Sequence, residues 1–377
     1  MSSNYFSTGT LLLYVTVAYI AAYLIYLSKT GHRYIKGTSR KRPLMLLFLM
    51  LTAFAVMRKV GFGGMGGMDS YVYEIEFINS KWNAGRYEDM DVLFGYFNIF
   101  IRAFTDNVHI YRGICYGIIS YGYVSFIKSV CPDNVSSIPF ITLMIPYLKS
   151  FNTMRTSIAI AVFLIGLKLL YERKKVWANV LIVSTMFIHR MSVIYILFLP
   201  FYYLIGKDWE RKKASTIIFR TIILMAFGLI SAFYVRDYVA AASLLDDHDM
   251  HYLRKSYQFS NIVMLLPTFL LIAVWIINVR RLNTIQNEKI KFLEILVAFD
   301  CMILPVAAIL GMWRANEYLY LPRLSLWGVI ILAYIHRFAP KERPLILILF
   351  FAIFSGWLVY RIMREWEPCG LMPYLVA

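Results

Sequence analysis

Five arginines, Arg58, Arg155, Arg190, Arg314 and Arg323, each stand within a few residues of the end of an apolar run. A guanidinium is charged at every physiological pH, and its planar fork can contact two phosphate oxygens at once. Gathered at one membrane boundary, such groups suit a diphosphate carried on a lipid. The competing reading is that each one reaches out to headgroups or closes the end of a span. His189, in the segment FIHRM, has an imidazole that titrates near neutral pH; it is either a general base or phosphate donor, or a structural histidine at an interface.

Asp69 ends the stretch VGFGGMGGMD, which carries five glycines over residues 60–69. Glycine tolerates positive φ and close backbone approach, so these amides make either an anion-binding nest or a hinge. The stretch lacks the G-K-[ST] ending of a nucleotide-binding loop, and no strand precedes it. Asp89 with Asp91, and Asp247 with Asp249, match the spacing of acids that hold a metal–diphosphate in some glycosyltransferases. Such pairs arise easily in acidic loops, and neither a metal nor a cofactor is expected. Cys115, Cys131, Cys301 and Cys369 form no C-x-x-C pair, so thiolate metal binding and a disulfide framework are not indicated.

The elements that must position these residues are membrane helices. Of 377 residues, 60% are hydrophobic and 16% charged, with a mean hydropathy of +0.61. A soluble domain carries about 25% charged residues, so this composition excludes a water-soluble globule. The chain reads as a single membrane-embedded domain over 1–377. The net charge of +17 would raise the question of nucleic acid in a soluble protein. Here the basic residues sit in short clusters between apolar runs, which is the positive-inside pattern, and no nucleic-acid partner is expected.

A crossing needs about 20 apolar residues for a ~30 Å hydrocarbon core. The apolar runs predict about twelve transmembrane helices, near 9–28, 43–57, 109–127, 137–149, 155–171, 176–189, 191–206, 215–235, 260–279, 292–312, 323–338 and 345–361. The first run has no basic residue before it and six directly after it, which places the N-terminus outside; an even count places the C-terminus outside too. With that parity the inner connections hold 21 basic residues against six acids, and the outer segments hold 16 against 14. Counting 91–104 as a crossing would invert every later loop, so this segment is read as a re-entrant or surface-lying amphipathic helix on the outer face. Two long outer segments remain, about 58–108 and 236–259, and chemistry is expected there. Within the spans, Arg220, Glu294 and Asp300 are costly to bury, and Arg220 is expected to pair with Asp300 across two helices.

Several of these segments occur together in one known pattern. MRKVGFGGMGGMDSYVYEIEF resembles the Arg, Gly, Asp, Tyr opening of the EpsG-like, Wzy-type polysaccharide polymerases. MDVLFGYFNIFIRAFTDN is similar to their outer amphipathic helix, and FNTMRTSIAIAVF to their Asn-x-x-Arg entry into a span. FIHRMSVIYILFLPFYY resembles their histidine-containing turn, and LPRLSLWGV their late Arg-started span. The sequence departs from the pattern in two places: the glycine insertion moves Arg58 away from Asp69, and Asp91 stands where Glu is usual.

The resemblance implies an all-α polytopic fold related to the integral-membrane glycosyltransferases of the C type, in a bacterial inner membrane. It implies a polymerase joining undecaprenyl-diphosphate-linked oligosaccharide repeats at the outer face, alongside the flippase and chain-length regulator of the same pathway. Arg58, Arg155, Arg314 and Arg323 would then hold the diphosphate, and Asp69 or His189 would be the base. Tyr73, Trp82 and Trp313 would stack on sugar rings, although interfacial aromatics are ordinary belt residues. A flippase or transporter of the same lipid, an O-antigen ligase and a sugar O-acyltransferase are the competing classes. The absence of an internal repeat and the gathering of candidates at one face weigh against transport.

Overall fold

The computed structural model describes residues 7–29, 41–61, 66–67, 69–80, 92–206, 214–241, 259–282, 285, 287–309, 316–366, 370–371 and 374. Every element among them is helical. Helical structure lies on each of the twelve apolar runs, as expected of segments that must satisfy their own backbone hydrogen bonds in lipid. Among the described residues, four helices, Thr8–Lys29, Met154–Tyr171, Ser215–Tyr234 and Arg343–Glu365, are long and apolar enough to cross a membrane. The other described helices fall short of that mark in length or in apolar character, so helix length and composition alone do not give twelve crossings.

Two expected spans depart from single helices. Residues 138–149 form a 3-10 segment, Ile138–Leu143, followed by the short helix Met144–Lys149. Residues 190–206 break into a 3-10 turn, two four-residue helices and a terminal π-helical turn, Tyr202–Gly206. Pro139, Pro146 and Pro200 fall in these segments, and proline removes a donor from the ladder and crowds the preceding turn. By contrast 91–104 does form a helix, Val92–Arg102. Its 11 residues extend only about 16 Å at 1.5 Å per residue, far short of a crossing.

The chain divides into two compact units, Met1–Arg190 with Ile331–Ala377, and Met191–Ile330. The first unit contains α1 (Thr8–Lys29), α2 (Lys41–Val56), α3 (Ser70–Asn79), α4 (Val92–Arg102), α5 (Val108–Ser129), α6 (Met144–Lys149), α7 (Met154–Tyr171) and α8 (Lys175–Ile188). Helix α5 packs between α2 and α7, and α7 packs on α8. Small residues set these crossings. A Cβ on Gly122 of α5 would stand 2.6 Å from Ala161 Cα of α7, and one on Gly166 of α7 would stand 2.7 Å from Ile182 Cγ1 of α8. Without a hydrophobic drive between helices in lipid, such close approach supplies much of the association through van der Waals contact. Just past the C-terminal end of α5, Lys29 Nζ donates to the carbonyl of Cys131 at 2.7 Å and lies 3.7 Å from Asp133, a cation at a helix C-terminus.

In the second unit, α9 (Val193–Ile196) and α10 (Phe198–Phe201) precede α11 (Ala214–Ala241), α12 (Phe259–Leu282) and α13 (Glu288–Ile309). Gly228 of α11 meets the Met302 carbonyl of α13, where a Cβ would come within 2.1 Å. The expected pairing of Arg220 with Asp300 is corrected: Asp300 is held by Arg323, in α14 (Tyr320–Ile335). The bidentate fork of Arg323 reaches both carboxylate oxygens, and both side chains are buried. Glu294 accepts from Trp275 Nε1 at 3.0 Å. The last helix, α15 (Arg343–Glu365), returns to the first unit and packs against the 138–149 segment and α1.

The α5–α7 contact predicts opposite outcomes for one chemical change at two positions. Gly122→Ala forces a methyl into the α7 backbone and should destabilise by about 1–3 kcal/mol. Gly117→Ala, on the same helix with nothing within 4 Å, should stabilise by about 0.5–1 kcal/mol through helix propensity. Thermal unfolding of the detergent-solubilised protein reads both; equal shifts would contradict this packing.

Candidate functional site

Arg58 follows the end of α2 and is only 1% exposed. Its Nη2 donates to Ser70 Oγ at 2.9 Å and to Tyr116 Oη at 3.2 Å. The guanidinium carbon lies 3.8 Å from the centroid of the Phe151 ring and 5.4 Å from that of Tyr116, so the charge rests on aromatic faces. Nε and Nη1 are buried without a hydrogen-bond partner. A buried donor left unpaired on a charged group is costly, which makes these two atoms an unmet demand for an anion or water.

The surroundings of Arg58 are tied together across three chain segments. Ser70 Oγ donates to the Phe151 carbonyl, Tyr116 Oη to the Ser150 carbonyl at 3.0 Å, and the Asp69 amide to Asn152 Oδ1 at 2.8 Å. The glycines explain how the loop fits. Gly66 (φ 74°) and Gly67 (φ 120°) lie so close to the Lys59 and Phe151 carbonyls that a Cβ on either would come within 2.1 Å. Glycine serves close approach here; residues 62–65, on which the nest or hinge readings depend, lie outside the described residues. Arg112 of α5 donates through Nη1 to the Arg58 carbonyl and pairs through Nε with Glu74 Oε1 of α3 at 2.5 Å. On the remaining side the Tyr374 ring stacks on Phe54 at 4.7 Å, and its hydroxyl donates to the Phe54 carbonyl at 2.6 Å. Burial raises the Tyr374 hydroxyl above its ordinary pKa, and the nearby Arg58 charge opposes the rise.

The loop that carries Arg58 also fixes the start of α3, and with it two carboxylates. Asp69 occupies the N-cap of α3 without capping it through its side chain. Glu76 follows seven residues later, two turns along the same face. Burial pushes the Glu76 carboxyl above its ordinary range; Arg155 opposes that shift and Asp69 adds to it. Arg155 is half-buried in the first turn of α7, where the helix dipole and unsatisfied amides add to its positive field. Asp69, Glu76 and Arg155 therefore share one electrostatic neighbourhood, reached from the Arg58 loop through the 150–153 turn.

The other candidates are more dispersed. His189 follows α8 with extended backbone, is 4% exposed, and its amide donates to the Thr185 carbonyl at 2.9 Å. Tyr73 is buried and packs edge-on against Phe94 of α4 at 5.9 Å. Arg323 lies in the second unit with all three nitrogens engaged, Nε and Nη2 by Asp300 and Nη1 by the Asn316 carbonyl. Arg190 is exposed. Trp82, Trp313 and Arg314, like the paired acids Asp89/Asp91 and Asp247/Asp249, lie outside the described residues.

A match to the EpsG family runs over residues 41–375. The chain belongs to the EpsG family. The matched range takes in Arg58, Asp69, Arg155, His189 and Arg323, so the family includes both units of the chain. No curated protein and no solved structure matches this EpsG-family chain. Sequence reasoning passed over Glu76, Glu74 and Arg112. The seven-residue spacing of Asp69 and Glu76 was a usable signal; the Glu74–Arg112 pair, 38 positions apart, left none.

Two measurements check this site. Glu74→Gln leaves the Arg112 charge buried with its ion-pair partner gone and should cost about 3–5 kcal/mol in thermal unfolding, whereas an unchanged melting temperature would remove the pair from the framework. For Glu76 the folded pKa is raised, so its favourable contribution is complete below the ordinary glutamate pKa of about 4.3 and is lost as pH rises through the folded value. Glu76→Gln should accordingly match the parent near pH 4 and exceed it in stability at pH 8; the reverse order would show that the carboxylate is net stabilised by Arg155.

Proposed function

We propose that the protein is a polysaccharide polymerase that joins lipid-diphosphate-linked oligosaccharide repeats at the outer face of the bacterial inner membrane. The observation that carries this reading is Arg155 at the head of α7, beside Asp69 and Glu76 and adjoining the Arg58 loop, in a chain of the EpsG family. In the proposed topology the chain crosses about twelve times with both termini outside, so the opening of α7 and the whole of α3 face the periplasm. No nucleotide sugar is available there, and the donor has to arrive already activated on a membrane lipid.

In the reaction, a sugar hydroxyl of one lipid-linked repeat attacks the anomeric carbon of the growing glycan on a second lipid. The bond between that carbon and the diphosphate oxygen breaks, and undecaprenyl diphosphate leaves with its electron pair. Charge accumulates on the departing diphosphate. Arg155 and the amides of the first turn of α7 stabilise it, in a site where fixed donors need no reorganisation. Arg58 anchors the loop behind this end, and its two unpaired donors add positive potential. The proton of the attacking hydroxyl passes to Asp69, or to His189 in the alternative assignment, with Glu76 the neighbouring carboxyl that tunes Asp69.

Arg155→Lys keeps the charge but loses the fork. Polymer length should collapse, with a fall in rate of tenfold or more at unchanged expression; reconstitution with a purified lipid-linked repeat and electrophoresis of the product ladder reads it. A normal ladder would remove Arg155 from the site. In a deletion strain, single lipid-linked repeats should build up on the outer leaflet, whereas retention on the inner leaflet would favour a flippase.

A further inference from the structure

An apolar cavity of about 360 Å³ lies in the first unit beneath α4. Its walls are Phe94 and Phe97 of α4, Ile118 of α5, Ile158 and Val162 of α7, and Ile188 of α8. A half-open groove whose lining is almost wholly apolar gives ordered water few partners; what such a space accepts is an apolar ligand. Leu93, Tyr96 and Phe100 complete the lining and are 40%, 56% and 65% exposed, so the cavity opens sideways along α4. Helix α4 is apolar on this exposed side as well as on its packed side, where Phe94, Ile99 and Ile101 are buried, and it is too short to be a span. It therefore acts as a wall between the cavity and the bilayer.

The position of the cavity decides its occupant. Ile158 lies one turn after Arg155 on α7, and Ile188 directly precedes His189. The void thus begins where the charged end of the unit stops. A ligand matching both parts has an anionic head and a hydrocarbon tail joined end to end, with the head outside and the tail admitted laterally from the bilayer.

We infer that the groove between α4 and α5, α7 and α8 binds the head-proximal part of the polyisoprenyl tail of the lipid-linked substrate, so that the tail seats the diphosphate against Arg155. The inference rests on the proposed polymerase reading for the identity of the lipid. It adds a binding site that is separate from the charged residues and a role for α4: the wall that admits the tail and aligns the leaving group. Aromatic rings on one side and branched aliphatic residues on the other suit an unsaturated, methyl-branched chain.

The test uses the full-length protein in lipid nanodiscs and undecaprenyl monophosphate carrying a diazirine within its tail. After irradiation and digestion, mass spectrometry should find adducts on α4, α7 and α8 near Phe97, Val162 and Ile188. Unlabelled undecaprenyl phosphate should displace the label; an equal excess of phosphatidylglycerol should not. Val162→Trp fills the groove and should lower adduct yield at these positions at least fivefold; Leu93→Trp, at the exposed mouth, should do the same should the first variant not fold. Adducts confined to other helices, equal displacement by phospholipid, or full labelling of a folded groove-filling variant would overturn the inference. Labelling needs no turnover. A protein that labels in the groove but makes no polymer refutes only the polymerase reading, and one that polymerises but labels elsewhere refutes only the groove.

Discussion

A guanidinium is buried at the end of α2, and the charged end of the first unit is organised around it. Arg58 is satisfied on one nitrogen by Ser70 and Tyr116 and rests on the ring of Phe151, while its other two nitrogens lack hydrogen-bond partners. Removing a full charge from water is costly unless its donors are met. The aromatic faces of Phe151 and Tyr116 recover part of that cost. Because Ser70 also bonds the Phe151 carbonyl, the residue that holds Arg58 is the one that docks α3 on the turn before α7. Position and charge are set by the same contacts.

This coupling accounts for the placement of the acids. Asp69 and Glu76 share a face of α3, and the orientation of that helix follows from the Asp69 amide on Asn152 and the Glu74–Arg112 ion pair. Burial raises the Glu76 carboxyl above its ordinary range, the cation of α7 opposes that rise, and Asp69 adds to it. The second unit shows the opposite solution: there Asp300 and Arg323 neutralise each other in a bidentate pair, and no nitrogen of Arg323 is left over.

Helices, their order and the short α4 were legible in the sequence because hydropathy and loop charge act locally and along the chain. Arg58 and Arg155 stood out for the same reason, as charges at the ends of apolar runs, and Asp69 as the acid that closes the glycine stretch. Interruptions within 138–149 and 190–206 were less visible, since apolar character persists through the prolines that break the ladder. Partner choice was not legible at all. Asp300 had two arginines to choose from, Arg220 and Arg323, and composition does not say which helix faces it. Glu74 and Arg112 meet only because α3 folds back along α5, and the tightness of the Gly66–Gly67 turn depends on carbonyls that belong to segments up to 84 positions away.

The central claim is that the guanidinium at the head of α7 recognises a diphosphate. Native mass spectrometry of the purified protein with undecaprenyl diphosphate and undecaprenyl monophosphate tests it most directly, against Arg155→Met. The parent should bind the diphosphate more tightly than the monophosphate; the variant should lose that preference and bind the diphosphate tenfold or more weakly, about 1.4 kcal/mol. Equal diphosphate affinity in parent and variant would contradict the account.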